Sequence, residues 1–508
     1  MRNHCRVSLV QASTTVKASE NHDHKQLKPF KEIPGEGSSS FVSGVLYAVK
    51  GWRSGSASRQ PWPAYDKWEN KYGTLYKRVF GKTVSVFITD ANDIEKVFRS
   101  GGSTPIRFEH TFFDILSAWR FYKQTKGLPL GTLTADVDFW HRQRKQLSRK
   151  MLRPKEVANY TDEANAIVTE FMQALYQKRN KRNFVDKFED LTFLWSLEFI
   201  ITVLFSKKLH LLTGTVDPDA KKVIDGVDDI FKTTAELFKF LVKYHAMVNT
   251  KVWQIHSNAW DAIFDFEKKI ISEKEEELKL AVERGDEMES VDIDLITQLL
   301  TNNNLSKEEI YSVLSEVLLG SIDTTSNTLH WALYLVANNP SVQDRLYEEV
   351  SSVVPEGEVP SNKHLSQMPY MKSVVKETLR LYPAIPYINR TMREDIALQG
   401  YHIPAGTPLL LLLYKTSRND KYFKDPLQFK PERWLAKETN VTFASMPFGF
   451  GPRMCIGRRL AELQLHLVLP RISRHFILES TTEVQHKMEL TIKPDRDLNL
   501  KFIDRRTI

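Results

Sequence analysis

A mainly α-helical body with a small β-rich subdomain is what this sequence predicts, on three observations. From Ile33 to about residue 375 the apolar residues recur mostly at helical spacing. One helix in that stretch is marked for about 30 residues, or roughly 45 Å, long enough to cross a whole domain. Candidate strands are few, and strand-like text appears at Val84 to Ile88, beside the Tyr72-Gly73 turn, and again around Tyr401 to Leu413. With 508 residues, 42% of them hydrophobic, the chain can bury one large core, and 26% charged residues is too ordinary for disorder.

Taken in chain order, the first nineteen residues carry Arg2, Arg6 and Lys17 with no acid, plus Ser8, Ser13, Thr14, Thr15 and Ser19. Such an acid-poor, hydroxyl-rich leader suits an organelle transit peptide, and a disordered tail fits it equally. Ile33-Pro34-Gly35-Glu36-Gly37 and the serines at 38, 39 and 40 read as a linker, which sets residues 1–30 apart from a body at 31–508. Between Glu273 and Asp292 the chain is densely charged, with Glu275, Glu276, Glu277, Asp286 and Glu287, and reads as a solvated helix and loop. The long helix opens on a capping box, Ser306 with Glu309. Its apolar stripe runs through Ile310, Val313, Leu314, Val317 and Leu318, and Pro340 ends it.

No run of about 18 apolar residues occurs, so hydropathy excludes a transmembrane helix. The balance of 71 Lys+Arg against 63 Asp+Glu, net charge +8, suits an acidic partner or surface. Neither zinc-finger spacing nor a basic helix repeat supports nucleic acid. The two cysteines, Cys5 and Cys455, leave no disulfide framework. A lone cysteine is usually a small buried apolar group; here its neighbours decide otherwise.

Phe448-Gly449-Phe450-Gly451-Pro452-Arg453-Met454-Cys455-Ile456-Gly457 runs straight into an amphipathic segment. Glycines 449, 451 and 457 permit positive φ and the close approach of a flat ligand, while Pro452 stiffens the turn. A sulfur at Cys455 stands at the amino end of the following helix, where free N–H groups favour thiolate. Arg453 is placed to hold a carboxylate and Phe448 to shield the sulfur.

The spacing FxxGxRxCxG is the haem signature of the cytochrome P-450 superfamily, and the chain resembles that family from about Pro34 to its end. The resemblance implies a single haem-thiolate monooxygenase domain, haem b (iron protoporphyrin IX) as cofactor, and Cys455 as the axial ligand whose electron push favours O–O cleavage. It also gives other residues meaning. Glu377-Thr378-Leu379-Arg380 matches E-x-x-R, and Pro431-Glu432-Arg433-Trp434 matches P-E-R-W, so Glu377, Arg380 and Arg433 are expected to form a buried structural network. Alone, an i, i+3 ion pair is common on any helix. Trp140 and Arg144 match W-x-x-x-R, two donors one turn apart that suit a haem propionate, and Arg390 resembles a further propionate contact. Gly320-Ser321-Ile322-Asp323-Thr324 interrupts the apolar stripe at a cost, Gly lying about 1 kcal/mol below Ala in helices. The family's pattern there is [AG]-G-x-[DE]-T, in which Asp323 and Thr324 relay protons; Ser321 stands where the usual residue is Gly.

No G-x-G-x-x-G unit opens a strand-to-helix turn, so electrons come from another protein. Lys372 and Lys376, at i, i+4, are ordinary solvated lysines on composition alone. Together with Arg458 and Arg459 after the cysteine loop they look like the mitochondrial class of the family. That class implies an adrenodoxin-like iron–sulfur ferredoxin with its NADPH reductase, a cleaved leader, and peripheral contact with the matrix face of the inner membrane. Leu237, Phe238, Phe240, Leu241, Val242 and Tyr244, interleaved with Lys239 and Lys243, would make that contact. Residues 453–467 (RMCIGRRLAELQLHL) and 249–264 (NTKVWQIHSNAWDAIF) resemble vitamin D 24-hydroxylases, which implies a small lipophilic substrate such as a steroid or secosteroid, hydroxylated with O2. A peroxide-rearranging relative without external electrons and a haem sensor or carrier without catalysis are the alternatives.

Overall fold

The central helix runs Lys307–Ala337, 31 residues, and both halves of its capping box form: Glu309 N–H donates to Ser306 Oγ at 3.2 Å, and Ser306 N–H to Glu309 Oε2 at 2.8 Å. The structure is a computed structural model and describes residues 27–38, 62–80, 83–107, 116–135, 137–214, 216–237, 242–284, 294–302, 304–436 and 442–505. Such a helix needs cover on most sides. The helix Phe188–Phe205, apolar nearly all round, covers one face, and Pro369–Leu381 and Arg458–His475 cover others. These helices share one large apolar core.

A second, smaller core lies under a five-stranded sheet. Its strand order is Gly35–Ser38, Leu75–Phe80, Thr83–Ile88, Pro408–Leu411, Ile388–Thr391, with parallel pairing at the first and third junctions and antiparallel at the others. The strand-like text at residues 84–88 and 401–413 therefore supplies strands, the latter in two pieces, Tyr401–Ile403 and Pro408–Leu411.

The linker reading of residues 33–40 is corrected over Gly35–Ser38, which is an edge strand. A Cβ on Gly35 would lie 2.0 Å from the Lys77 carbonyl oxygen, so this glycine serves strand approach and not freedom. Glu36 anchors the strand by accepting from Trp68 Nε1 (2.7 Å), Arg78 Nη1 (2.6 Å) and Tyr72 Oη (3.1 Å). Backbone pairing begins ahead of residue 31, since Lys28 N–H donates to the Gly400 carbonyl at 2.8 Å.

Residues 1–26, the bulk of the expected leader, lie outside the described residues, as do Phe238, Lys239, Phe240 and Leu241 of the expected membrane segment and residues 285–293 of the charged stretch. What precedes 285 is the 34-residue helix Lys251–Arg284, whose first part is core and whose part from Glu273 on is half-buried to exposed, as expected of a solvated helix. Leu237 (0% exposed) and Val242 (8%) belong to the large core, which corrects their assignment to a membrane surface; among the described residues of the segment, Lys243 and Tyr244 (55%) face outward. Leu237 is the buried last residue of helix Pro218–Leu237, and Val242 is the buried first residue of the next helix, Val242–Met247. Among the described residues no helix is long and apolar enough to cross a membrane.

Where that helix meets Lys251–Arg284, His256 is fully buried and neutral. Trp260 Nε1 donates to His256 Nε2 at 3.2 Å, so Nδ1 carries the proton it shares with Thr233 Oγ1 at 2.8 Å. Burial pushes this imidazole from 6.5 down to about 3. The unfolded chain takes up a proton near pH 6.5 that the folded chain refuses until about 3, so the stability is whole above about 6.5 and drains as pH falls towards 3. Burial acts the same way on His330. Denaturant titrations between pH 7 and 4 are expected to show falling stability, with a shallower slope in His256→Gln.

Candidate active site

The cysteine loop is built from backbone bonds that leave the sulfur out. Cys455 N–H donates to the Phe448 carbonyl at 2.9 Å, and Met454 N–H to the Gly451 carbonyl at 3.0 Å. Gly449 and Gly451 adopt φ of +68° and +76°, as their places require. Gly457 does not: its φ is −81°. A Cβ there would stand 3.9 Å from Cys455 Sγ and 4.0 Å from Ser321 Oγ, filling the gap between loop and central helix.

Cys455 Sγ is walled in by protein and opens only onto a cavity with about 1950 Å³ free of protein atoms, part of it open to solvent. Phe448, Gly457 and Thr324 line the same cavity, and Leu133, Ile200 and Val317 are among its apolar walls. Burial, the largest influence, pushes the thiol pKa up. The N–H groups of Gly457 and Arg458, with Arg144 and Arg107, oppose it. A bound cation would tip that balance to thiolate.

The buried guanidinium groups of Arg107, Arg144 and Arg453 rim the cavity, and Arg390 packs close to Arg107 and Arg453 without lining it. Arg144 donates from Nη2 to the Met454 carbonyl at 2.8 Å, and burial draws its pKa down to about 10. Arg453 packs 4.3 Å over the Trp140 ring and donates to the Ala135 carbonyl at 3.3 Å. Arg390, 2% exposed, holds its own turn through Nη1 to the Asn389 carbonyl at 2.8 Å, while Nη2 is buried with no partner among the described residues. Burial first, then Arg107 and Arg453, hold Arg390 well below its usual range. Sequence reasoning missed Arg107. It follows Ile106, whose bridge to Thr391 sets it beside Arg390, a pairing no local motif announces. Cations packed this closely want anions. The carboxylates of a haem, with a sulfur ligand facing the same space, fit this donor set.

Beside the loop, Glu377 and Arg380 are fully buried. Arg380 Nη2 and Nε donate to the two Glu377 oxygens at 2.7 and 2.9 Å. Glu377 also accepts from Arg433 Nε (3.0 Å), Trp434 Nε1 (2.9 Å) and Lys430 N–H (3.1 Å). Arg380 Nη1 reaches the carbonyls of Ser417 and Pro426 at 2.8 and 2.7 Å, tying helix Pro369–Leu381 to the segment that leads to the loop.

The sequence matches the family model described as cytochrome P-450 over residues 46–502. The chain belongs to the cytochrome P-450 family. Cytochrome P-450 27C1 of Danio rerio is 31% identical, over 99% of this chain and 92% of that protein. Sterol 26-hydroxylase, mitochondrial, of Mus musculus is 33% identical over 98% and 93% of the two chains. The mouse 1,25-dihydroxyvitamin D(3) 24-hydroxylase, mitochondrial, is 32% identical over 86% and 83%. As a cytochrome P-450 with hydroxylase relatives, the protein is a monooxygenase with a haem-iron cofactor.

In this cytochrome P-450 the central helix is continuous where its apolar stripe is interrupted, and it faces the cavity there through Gly320, Ser321, Asp323 and Thr324. Thr324 Oγ1 donates to the Gly320 carbonyl at 2.9 Å, and Ser321 Oγ to the Val317 carbonyl at 2.7 Å, so the unusual serine turns its hydroxyl back onto its own helix. Asp323 is enclosed apart from its opening to the cavity. Thr491 Oγ1 donates to it, and so does Asn327 Nδ2 at 2.9 Å. Burial, the largest influence, raises its pKa. Thr491 and Asn327 were also missed from sequence, since the first arrives from a C-terminal hairpin remote in the chain.

Helices Pro369–Leu381 and Arg458–His475 pack together; Lys372 and Lys376 lie on the first, and Arg458 and Arg459 open the second. His466 lies beneath both lysines; burial, with their charges added, pushes its imidazole down to about 3. The arginines are less free than the lysines, because Arg458 and Arg459 both pair with Glu462, at 2.9 and 3.5 Å.

Proposed function

We propose that this protein hydroxylates a sterol or secosteroid with dioxygen in mitochondria, with haem b held by Cys455 and electrons drawn from an iron–sulfur ferredoxin and its NADPH reductase. The observation that carries the reading is one cavity with a cysteine sulfur, a rim of buried arginines and apolar walls. Sterol and vitamin D hydroxylases among the relatives supply the substrate class, and their mitochondrial names the compartment. Peripheral contact with the matrix face of the inner membrane suits a net charge of +8.

When bound, haem supplies oxygen activation at its iron, which the thiolate of Cys455 strengthens. Trp140, Arg144, Arg390 and Arg453 hold its carboxylates, and Phe448 and Gly451 shape the loop beneath it. Asp323, kept protonated to higher pH by burial, passes its proton towards Thr324, while Thr491 and Asn327 orient the carboxyl. Glu377, Arg380 and Arg433 keep the loop in register. Lys372 and Lys376, with Arg458 and Arg459 behind them, receive the acidic ferredoxin.

Purified protein reconstituted with ferredoxin, reductase and NADPH should bind sterols or vitamin D compounds with an absorption shift and release a hydroxylated product. Reversing both lysines, Lys372→Glu with Lys376→Glu, is expected to lower ferredoxin-driven turnover at least roughly tenfold and to leave substrate binding unchanged. Product without reductase would indicate peroxide rearrangement, and bound haem without NADPH consumption a sensor or carrier.

A further inference from the structure

A buried ion pair on the central helix is not used by the chemistry above. Lys123 and Glu316 are both 0% exposed, with Lys123 Nζ 2.6 Å from Glu316 Oε1 and 3.1 Å from the Ser312 carbonyl. Glu316 lies two turns before Asp323 and lines the cavity. Its carboxylate takes the backbone N–H groups of Gly131 (3.1 Å), Leu133 (2.6 Å) and Thr134 (3.1 Å), and the Thr134 hydroxyl as well. One side chain thus accepts from three of the four N–H groups of the loop 131–134. That loop supplies Thr132 and Leu133 to the cavity wall, and the helix Ser117–Thr125, which carries Lys123, supplies Trp119.

The fit leaves no slack. A Cβ on Gly131 would lie 2.2 Å from the Ser312 carbonyl oxygen and 2.5 Å from Glu316 Cδ, so the loop backbone sits directly on the central helix. Gln143 Nε2 fastens the preceding residue by donating to the Leu130 carbonyl at 2.8 Å, and Ala135, just beyond, accepts from Arg453. A carboxylate with this many charge-assisted bonds at one loop holds it in a single position. Without it, the Leu133 and Thr134 N–H groups would lose this acceptor, the Gly131 N–H would keep only the Thr134 hydroxyl, and the Lys123 ammonium only the Ser312 carbonyl.

We infer that Glu316, paired with Lys123, is a positioning residue that sets which molecules the cavity admits, by clamping loop 131–134 against the central helix as a fixed wall. The inference rests on this cavity being the substrate chamber. Neither residue touches the reacting atoms; the effect passes through Thr132 and Leu133.

The test uses the full-length holoprotein and two independent lesions. Glu316→Gln combined with Lys123→Met removes both charges of the pair, and leaves the buried Glu267 carboxyl, which burial holds well above its usual range, without the Lys123 ammonium near it. Gly131→Ala keeps both charges and lifts the loop by steric contact. Three readings are taken: haem content with its thiolate absorption, amide hydrogen exchange across residues 128–135, and the affinity ratio for phenylimidazole against the much bulkier trityl-imidazole. Both proteins are expected to keep haem, to exchange loop amides at least roughly tenfold faster, and to shift the ratio several-fold towards the bulky probe. Faster exchange with an unmoved ratio would overturn the inference, as would unchanged exchange. Loss of haem in both proteins would overturn it too, by assigning the pair to stability alone. The azole ratio needs no sterol turnover, so failure of the substrate reading would show separately, as a wild type that binds azoles but converts no sterol.

Discussion

Cys455→Ser is expected to purify as a folded protein that lacks the absorption signature of thiolate-ligated haem and has no detectable hydroxylation. The loop around the sulfur is held by main-chain bonds, Cys455 N–H to Phe448 and Met454 N–H to Gly451, and none of them involves Sγ. Serine therefore fits the same backbone. What it cannot supply is the soft anionic donor that pushes charge onto iron. The rim of Arg107, Arg144 and Arg453 remains, so some haem is expected to associate without that signature. The reduced carbon monoxide difference spectrum, with far-ultraviolet circular dichroism as the control, decides the matter; persistence of the thiolate band would refute Cys455 as ligand.

Glu377→Ala is expected to do more damage from further away. The carboxylate is fully buried and accepts from Arg380, Arg433, Trp434 and the Lys430 N–H. Removing it strands two guanidinium groups in an interior where burial already works against the charge on Arg380. Breaking such a pair costs about 3–5 kcal/mol, against a total stability of about 5–15 kcal/mol for a typical domain. The expected outcome is little soluble protein and almost no incorporated haem, not a slower enzyme. Glu377→Asp, which keeps the charge but shortens its reach, should fall between. Haem per polypeptide and thermal midpoint measure both. A Glu377→Ala protein with full haem content and lowered turnover would instead place this network in the chemistry.

The local features were legible because their signals are local. A capping box, an apolar stripe and a proline stop lie within one helix, and the structure returns that helix with both halves of the box formed. The cysteine loop likewise holds its glycines, its arginine and its sulfur within ten residues. Reading failed where one residue type has two uses. Gly35 and Gly37 look like a linker and form an edge strand, because the missing Cβ that frees a backbone also lets two strands meet. Leu237 and Val242 look like membrane residues and are core, because an apolar side chain does not state which apolar surroundings it will find.

By itself, the order of residues determined the helical character, the central helix, the haem loop, and the motifs that mark the family. Only the folded chain decided that Arg107 joins Arg390, that Thr491 reaches Asp323, and that Glu316 clamps a loop nearly two hundred residues away, a separation of |i−j| = 182 to 185. The reason is range. Helix periodicity, capping and turn chemistry act over a few neighbours, whereas burial and charge pairing depend on what the fold brings near, and a buried charge is stable only beside the partner that packing delivers.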